Sequence, residues 1–98
     1  MKVGLTPAVL ASVLECATHI ARDDLAAAER WLDGLQRTVA QLGEFPNMGR
    51  VTAEAGIETH REVFYGRYRI LYRVGDAVTV YDIRHMSRQP AALDDSNP

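Results

Sequence analysis

The stretch REVFYGRYRILYRV, residues 61–74, sets four arginines among aromatic and aliphatic residues. A guanidinium stays protonated at physiological pH and binds carboxylates or phosphates through paired N–H groups. On a strand, Arg69 and Arg73 emerge on the same side, roughly 13 Å apart. That spacing meets two phosphates or two carboxylates equally well, and the commoner use of such alternation is a solvated strand face. His85 lies near Arg84 and Arg88. Its intrinsic pKa suits proton transfer near neutrality, although a strand-end histidine more often bonds to backbone. Tyr65, Tyr68, Tyr72 and Tyr81 offer ring faces on which bases stack, but tyrosines at period-two positions more often build a core or an interface. There is no HExxH pair, glycine-rich phosphate loop, carboxylate pair or nucleophile elbow.

The elements that must position these residues follow from apolar spacing. Val3–Leu5 is a short strand candidate. Thr6 and Pro7 suit a helix cap and first helical position. Val9, Val13, Cys16 and Ile20 then form one stripe of a helix over about residues 7–21, widened by Leu10, Leu14, Ala17 and Ala21. Asp23 or Asp24 can cap a second helix, whose stripe is Ala28, Leu32, Leu35, Val39 and Leu42. Gly34 inside it costs about 1 kcal/mol relative to alanine, which a close helix–helix crossing would explain. Gly43 reads as the stop, with Pro46 beyond. Residues 43–59 have no clean period.

From residue 60 the period becomes two. His60–Tyr65, Arg67–Val74 and Ala77–His85 read as strands, with turns at Gly66 and at Gly75-Asp76. Tyr68, Ile70, Tyr72 and Val74 share one face of the middle strand, which should meet the helices. Arg67, Arg69, Leu71 and Arg73 share the other, which should meet water or a partner. In the last strand Val78 and Val80 fall opposite Tyr81 and Ile83, so both faces are apolar and the strand belongs inside the sheet. The expected fold is α+β, in the order β-α-α-β-β-β, with a helical hairpin packed on one face of a mostly antiparallel sheet. Residues 1–88 form one domain and residues 89–98 a loose tail.

Ninety-eight residues with 47% hydrophobic content suit a single globular core. No apolar run approaches the ~20 residues that span a bilayer, and nothing before Pro7 resembles an export signal. The single cysteine, Cys16, excludes an internal disulfide and fits a reducing, cytoplasmic compartment. The net charge of −2 argues against bulk nucleic acid as main partner. The charge is uneven: residues 57–88 hold six arginines against Glu58, Glu62, Asp76 and Asp82. Lys2 is the only lysine. No cofactor and no metal is expected.

Three segments carry a family likeness. LTPAVLASVLECATHIA, AAERWLDGLQRTVAQLGEFPNMGR and REVFYGRYRILYRVGDAVTVYDIRH, taken in order, resemble the RelE/ParE superfamily of type II toxins over about residues 3–88. Phe45-Pro46 with Gly49-Arg50 is similar to that family's FP..GR turn. Arg61-Glu62-Val63 and Gly66 through Val74 resemble its R-E…G-x-YRI-x-YRV hairpin. The resemblance implies the same β-α-α-β-β-β fold and one of two activities. RelE-like members cut mRNA in the ribosomal A site. ParE-like members inhibit DNA gyrase and are not nucleases. Both are silenced by a cognate antitoxin.

The residues favour the ParE-like branch. Metal-free RNA cleavage needs a base for the 2′-hydroxyl, positive charge at the phosphate and an acid for the leaving oxygen. The RelE-like scheme places lysines on the strand before the hairpin. Here His60–Tyr65 has none, and Arg61 is a poor base. If the chain were a nuclease, Arg61, Arg69, His85 and Arg88 would be its catalytic set. As a ParE-like toxin it needs no catalytic residue. Arg84, His85 and Arg88 are then the residues expected to contact gyrase. Arg61, Arg69 and Arg73 are expected to meet the carboxylates of a ParD-like antitoxin that orders on binding, wraps the hairpin and reaches the sheet. The resemblance calls for no membrane partner and no direct DNA contact by the toxin alone. A degraded toxin that only binds its antitoxin is the third reading.

Overall fold

The computed structural model describes residues 1–52 and 59–86. The elements run β1 (Val3–Leu5), α1 (Pro7–Asp23), α2 (Leu25–Glu44), β2 (Arg50–Val51), β3 (His60–Tyr65), β4 (Tyr68–Val74) and β5 (Val78–His85). Arg88 and the tail at 89–98 lie outside the described residues. Two helices pack with a five-stranded mixed sheet in the order β1-β5-β4-β3-β2. β1 runs parallel to β5, and the other pairs are antiparallel. The α+β fold read from the sequence is the fold observed, with β2 as an extra two-residue edge.

The helix starts follow their capping residues. Thr6 Oγ1 accepts from the Val9 amide at 3.2 Å, with Pro7 at the first position. Asp24 alone joins the helices: its amide donates to the Ile20 carbonyl at 3.0 Å and its carboxylate accepts from the Ala27 amide at 3.1 Å. At this one-residue joint the chain changes direction and the two helices pack against each other.

The core lies between this hairpin and the sheet. Val9, Leu35, Leu42, Val63, Ile70, Tyr72, Val78, Val80 and Ile83 form it. Each fully buried side chain of this kind contributes about 1.5–3 kcal/mol. The last strand reaches this core by a route that strict alternation does not predict. A register shift between Leu71 and Tyr72 pairs Leu71 with Asp82 but Tyr72 with Val80. Tyr81 is the extra residue, and such a bulge reverses the alternation beyond it. Val78, Val80 and Ile83 therefore share the helix-facing side. β5 does sit inside the sheet, as expected, but its two apolar sets serve one core.

Two glycines differ from the sequence reading. A Cβ on Gly34 would collide with the Tyr65 hydroxyl and ring. The glycine admits a strand side chain, not a neighbouring helix. Tyr65 Oη donates to the Trp31 carbonyl at 2.8 Å across this gap. Gly43 is no stop either, since α2 continues to Glu44 and is capped at Phe45. A Cβ there would stand 2.6 Å from the Met1 carbonyl oxygen. The terminal ammonium donates to the Gly43 carbonyl at 3.1 Å, so the glycine seats β1 against α2.

Candidate functional site

Two surfaces stand out, one on each side of the sheet. On the helix side, a cleft of about 370 Å³ opens between α1, α2 and the strands. Its floor is Ile70, Val80 and Ile83; its walls include Val9, Val13, Leu35 and Val39; Gln36 is its polar lining residue. Leu32 stands at 37% exposure among its lining residues. Elsewhere on the hairpin, Leu10 and Leu14 are exposed, so the stripe drawn through α1 is only partly buried. An apolar groove of this size takes the apolar face of an amphipathic segment.

The other side of the sheet is built on charge. Glu62 and Arg69 face away from the helices yet are buried, with side chains 3% and 4% exposed. Arg69 Nε and Nη2 each lie 2.6 Å from Glu62 Oε1. Arg50 Nε donates to the remaining oxygen, Oε2, also at 2.6 Å. One carboxylate thus serves two guanidiniums. A buried ion left without its partner is expensive, so the Arg69–Glu62 pairing is self-enforcing. Arg84 Nε lies 2.7 Å from Asp82 Oδ2, two residues back on the same strand β5, and this pair is part-exposed. The Arg50 guanidinium sits 5.3 Å above the Phe64 ring.

The sequence-predicted residues are therefore distributed over both faces. Arg69 was expected to meet water or a partner; the finding is that Glu62, adjacent in the fold and seven residues away in sequence, holds it inside. Arg61 points to the turn between α2 and β2, where its Nη1 donates to the Gly49 carbonyl at 2.8 Å. Arg73 is exposed. His85 lies edge-on to Tyr68 with ring centroids 5.0 Å apart, and Tyr68 packs on Trp31 at 5.2 Å. Arg84 and His85, being consecutive on β5, point to opposite faces. Arg61 and His85 share the helix-facing side but stand at opposite ends of it: Arg61 pairs with Tyr72, His85 with Tyr68. Arg69 is on the far face from both.

Sequence reasoning missed a hub at the FP..GR turn. Tyr72 Oη donates to the Pro46 carbonyl at 2.7 Å and accepts from the Gly49 amide at 2.9 Å. A Cβ on Gly49 would stand 2.5 Å from the Glu62 carbonyl oxygen, which is why only glycine fits. Burial pushes the Tyr72 hydroxyl above its ordinary pKa, against opposing effects of the Gly49 amide and the Arg61 guanidinium. The paired motifs, FP..GR and YRI-x-YRV, were the available signal: each supplies half of one hydrogen-bonded joint.

A family model for the ParE toxin of the type II toxin–antitoxin system parDE matches residues 3–90. The chain belongs to the ParE toxin family. No curated protein matches it. Membership makes this ParE-family chain the toxin of a type II system, in which an antitoxin is the partner. The motif residues that carried the likeness hold the fold together: Tyr72, Gly49 and Arg61 fix the turn, and Glu62 and Arg69 fix the sheet. Among the described residues, no helix is long and apolar enough to cross a membrane.

Proposed function

We propose that this toxin inhibits DNA gyrase by direct protein–protein binding in the cytoplasm, and that a ParD-like antitoxin neutralises it. The pairing of Arg69 with Glu62 carries the reading. A guanidinium held by a buried carboxylate at 2.6 Å is committed to the fold rather than turned to a scissile phosphate. Arg61 is engaged with the turn, and His85 is on the opposite face of the sheet from Arg69. Binding needs no such convergence of acid, base and phosphate-holding groups; cleavage does.

The apolar cleft supports the antitoxin half of the proposal. An amphipathic segment ordering on binding would bury its apolar face against Val13, Leu35 and Val39. From there it reaches the sheet, where Arg73 is the exposed member of the Arg61, Arg69 and Arg73 set. Gyrase contact is assigned to the C-terminal end, at Arg84 and His85, with Arg88 beyond the described residues.

Purified toxin should block gyrase supercoiling in vitro, and its expression should arrest growth with filamentation and DNA-damage signalling. Prompt codon-dependent mRNA cleavage in translating ribosomes, with supercoiling untouched, would overturn the proposal in favour of a RelE-like endonuclease.

A further inference from the structure

Among the described residues, the sheet face turned away from α1 and α2 carries a charge opposite to that of the chain as a whole. Six charged side chains among the described residues share it by strand register: Arg50, Glu62, Arg69, Arg73, Asp82 and Arg84. Four guanidiniums against two carboxylates leave two positive charges, on a chain whose total is −2. Both carboxylates are occupied, Glu62 by Arg50 and Arg69, Asp82 by Arg84. The Arg50 side chain is 69% exposed, and Arg73 is exposed. Beneath Arg50 the Phe64 ring is 48% exposed. Phe64, Arg69 and Arg84 are cross-strand neighbours in one row.

We propose that this face docks the toxin's protein target, and that it takes an acidic segment. One apolar side chain of that segment packs on Phe64. Flanking carboxylates meet Arg50, Arg73 and Arg84. The identity of the target rests on the function proposed above; the chemistry of the segment does not. Guanidinium forks spaced across three strands suit discrete carboxylates, which pair bidentately. A nucleic-acid backbone draws affinity from many neutralised phosphates, and here it would also approach two carboxylates on a surface with a surplus of only two. An antitoxin carboxylate reaching Arg73 would occupy the same surface, so neutralisation and targeting would compete directly.

The test uses the full chain and two variants that leave the Glu62–Arg69 pair intact: Arg73→Glu/Arg84→Glu and Phe64→Ser. Fluorescence anisotropy with a labelled peptide Asp-Glu-Leu-Asp-Glu should show binding, tighter than that of a single-stranded RNA oligomer of equal net charge. The double variant should weaken peptide binding at least tenfold and Phe64→Ser several-fold, with melting temperatures close to the parent's. If the double variant fails to fold, Phe64→Ser decides alone. Peptide affinity unchanged in folded variants, absent peptide binding, or tighter RNA binding overturns the proposal. Gyrase assays separate the two ideas. Peptide binding on this face without supercoiling inhibition leaves the surface standing and removes gyrase. Equal inhibition by parent and folded variants removes the surface and leaves gyrase standing.

Discussion

The Tyr72 hydroxyl lies 2.9 Å from the amide nitrogen of Gly49, across 23 residues of chain, and donates onward to Pro46. One phenol oxygen thereby satisfies a buried donor and an acceptor in the turn that leads from α2 into the sheet. Tyr72→Phe keeps the ring and strands both groups. A buried polar group left unsatisfied costs about 1–3 kcal/mol. Chemical denaturation should show a loss of that size. A variant as stable as the parent would mean that water restores both bonds without cost.

The same hydroxyl makes stability fall at high pH. Burial raises its pKa in the folded state above 10.0, the value it has in an unfolded chain. A group with a raised folded pKa contributes fully below the unfolded pKa and loses its contribution as pH climbs through the folded one. Between the two, stability should drop by up to about 1.4 kcal/mol per pH unit. Unfolding free energies measured from pH 9 to 11 should show this slope, and Tyr72→Phe should flatten it. An equal slope in the variant would assign the titration to another group.

Gly34 supports a prediction of sign. In an exposed helix interior, glycine to alanine gains about 1 kcal/mol. Here the new methyl meets the Tyr65 ring, so Gly34→Ala should destabilise. In a Tyr65→Ala background the obstruction is gone and the same change should stabilise. A double-mutant cycle measures the reversal directly; additive effects would show that the ring moves aside freely.

Glu62 and Arg69 should be worth little as a pair and much as individuals. Arg69→Met leaves a buried carboxylate with only the exposed Arg50, and Glu62→Leu leaves a buried guanidinium. Each should cost about 3–5 kcal/mol, while the double replacement should recover most of the loss. Denaturation midpoints of the three variants decide this, and a double variant no better than either single one would count against the burial argument.

What the sequence disclosed here was local, and what it withheld was relational. Thr6-Pro7 and Asp24 announced their helices because capping is an interaction over three residues. The hairpin strands showed through period two. The bulge at Tyr81 left no composition signal, so Val80 and Ile83 read as opposite faces although both line one core. Alternation correctly put Arg69 on the side away from Ile70. Its burial depended on Glu62 standing one strand over, which a period within a single strand does not encode. The two misread glycines have the same cause: the atoms that require them belong to Tyr65 and Met1, far away in the chain.

The apolar cleft permits a test of the proposed antitoxin surface that spares the fold. Leu32 lies among the cleft's lining residues and is 37% exposed, whereas Leu35, one turn on, is buried. Leu32→Arg sets a charge where the proposed antitoxin segment would lay its apolar face, and an arginine there can extend its head into water. The fold should lose at most about 1 kcal/mol, somewhat more than the ~0.5 kcal/mol usual for a surface substitution, because Leu32 also lines the cleft. Antitoxin binding should weaken by roughly a hundredfold or more, since an unpaired charge buried under a partner costs several kcal/mol. Calorimetric titration of the variant with the antitoxin reads the affinity, and co-expression reads the consequence: growth arrest that the antitoxin no longer relieves. With the target docked on the arginine face as proposed, on the opposite side of the sheet from the cleft, inhibition of the target by Leu32→Arg should match that of the parent. Retained antitoxin affinity in a folded Leu32→Arg protein would place neutralisation on the other face.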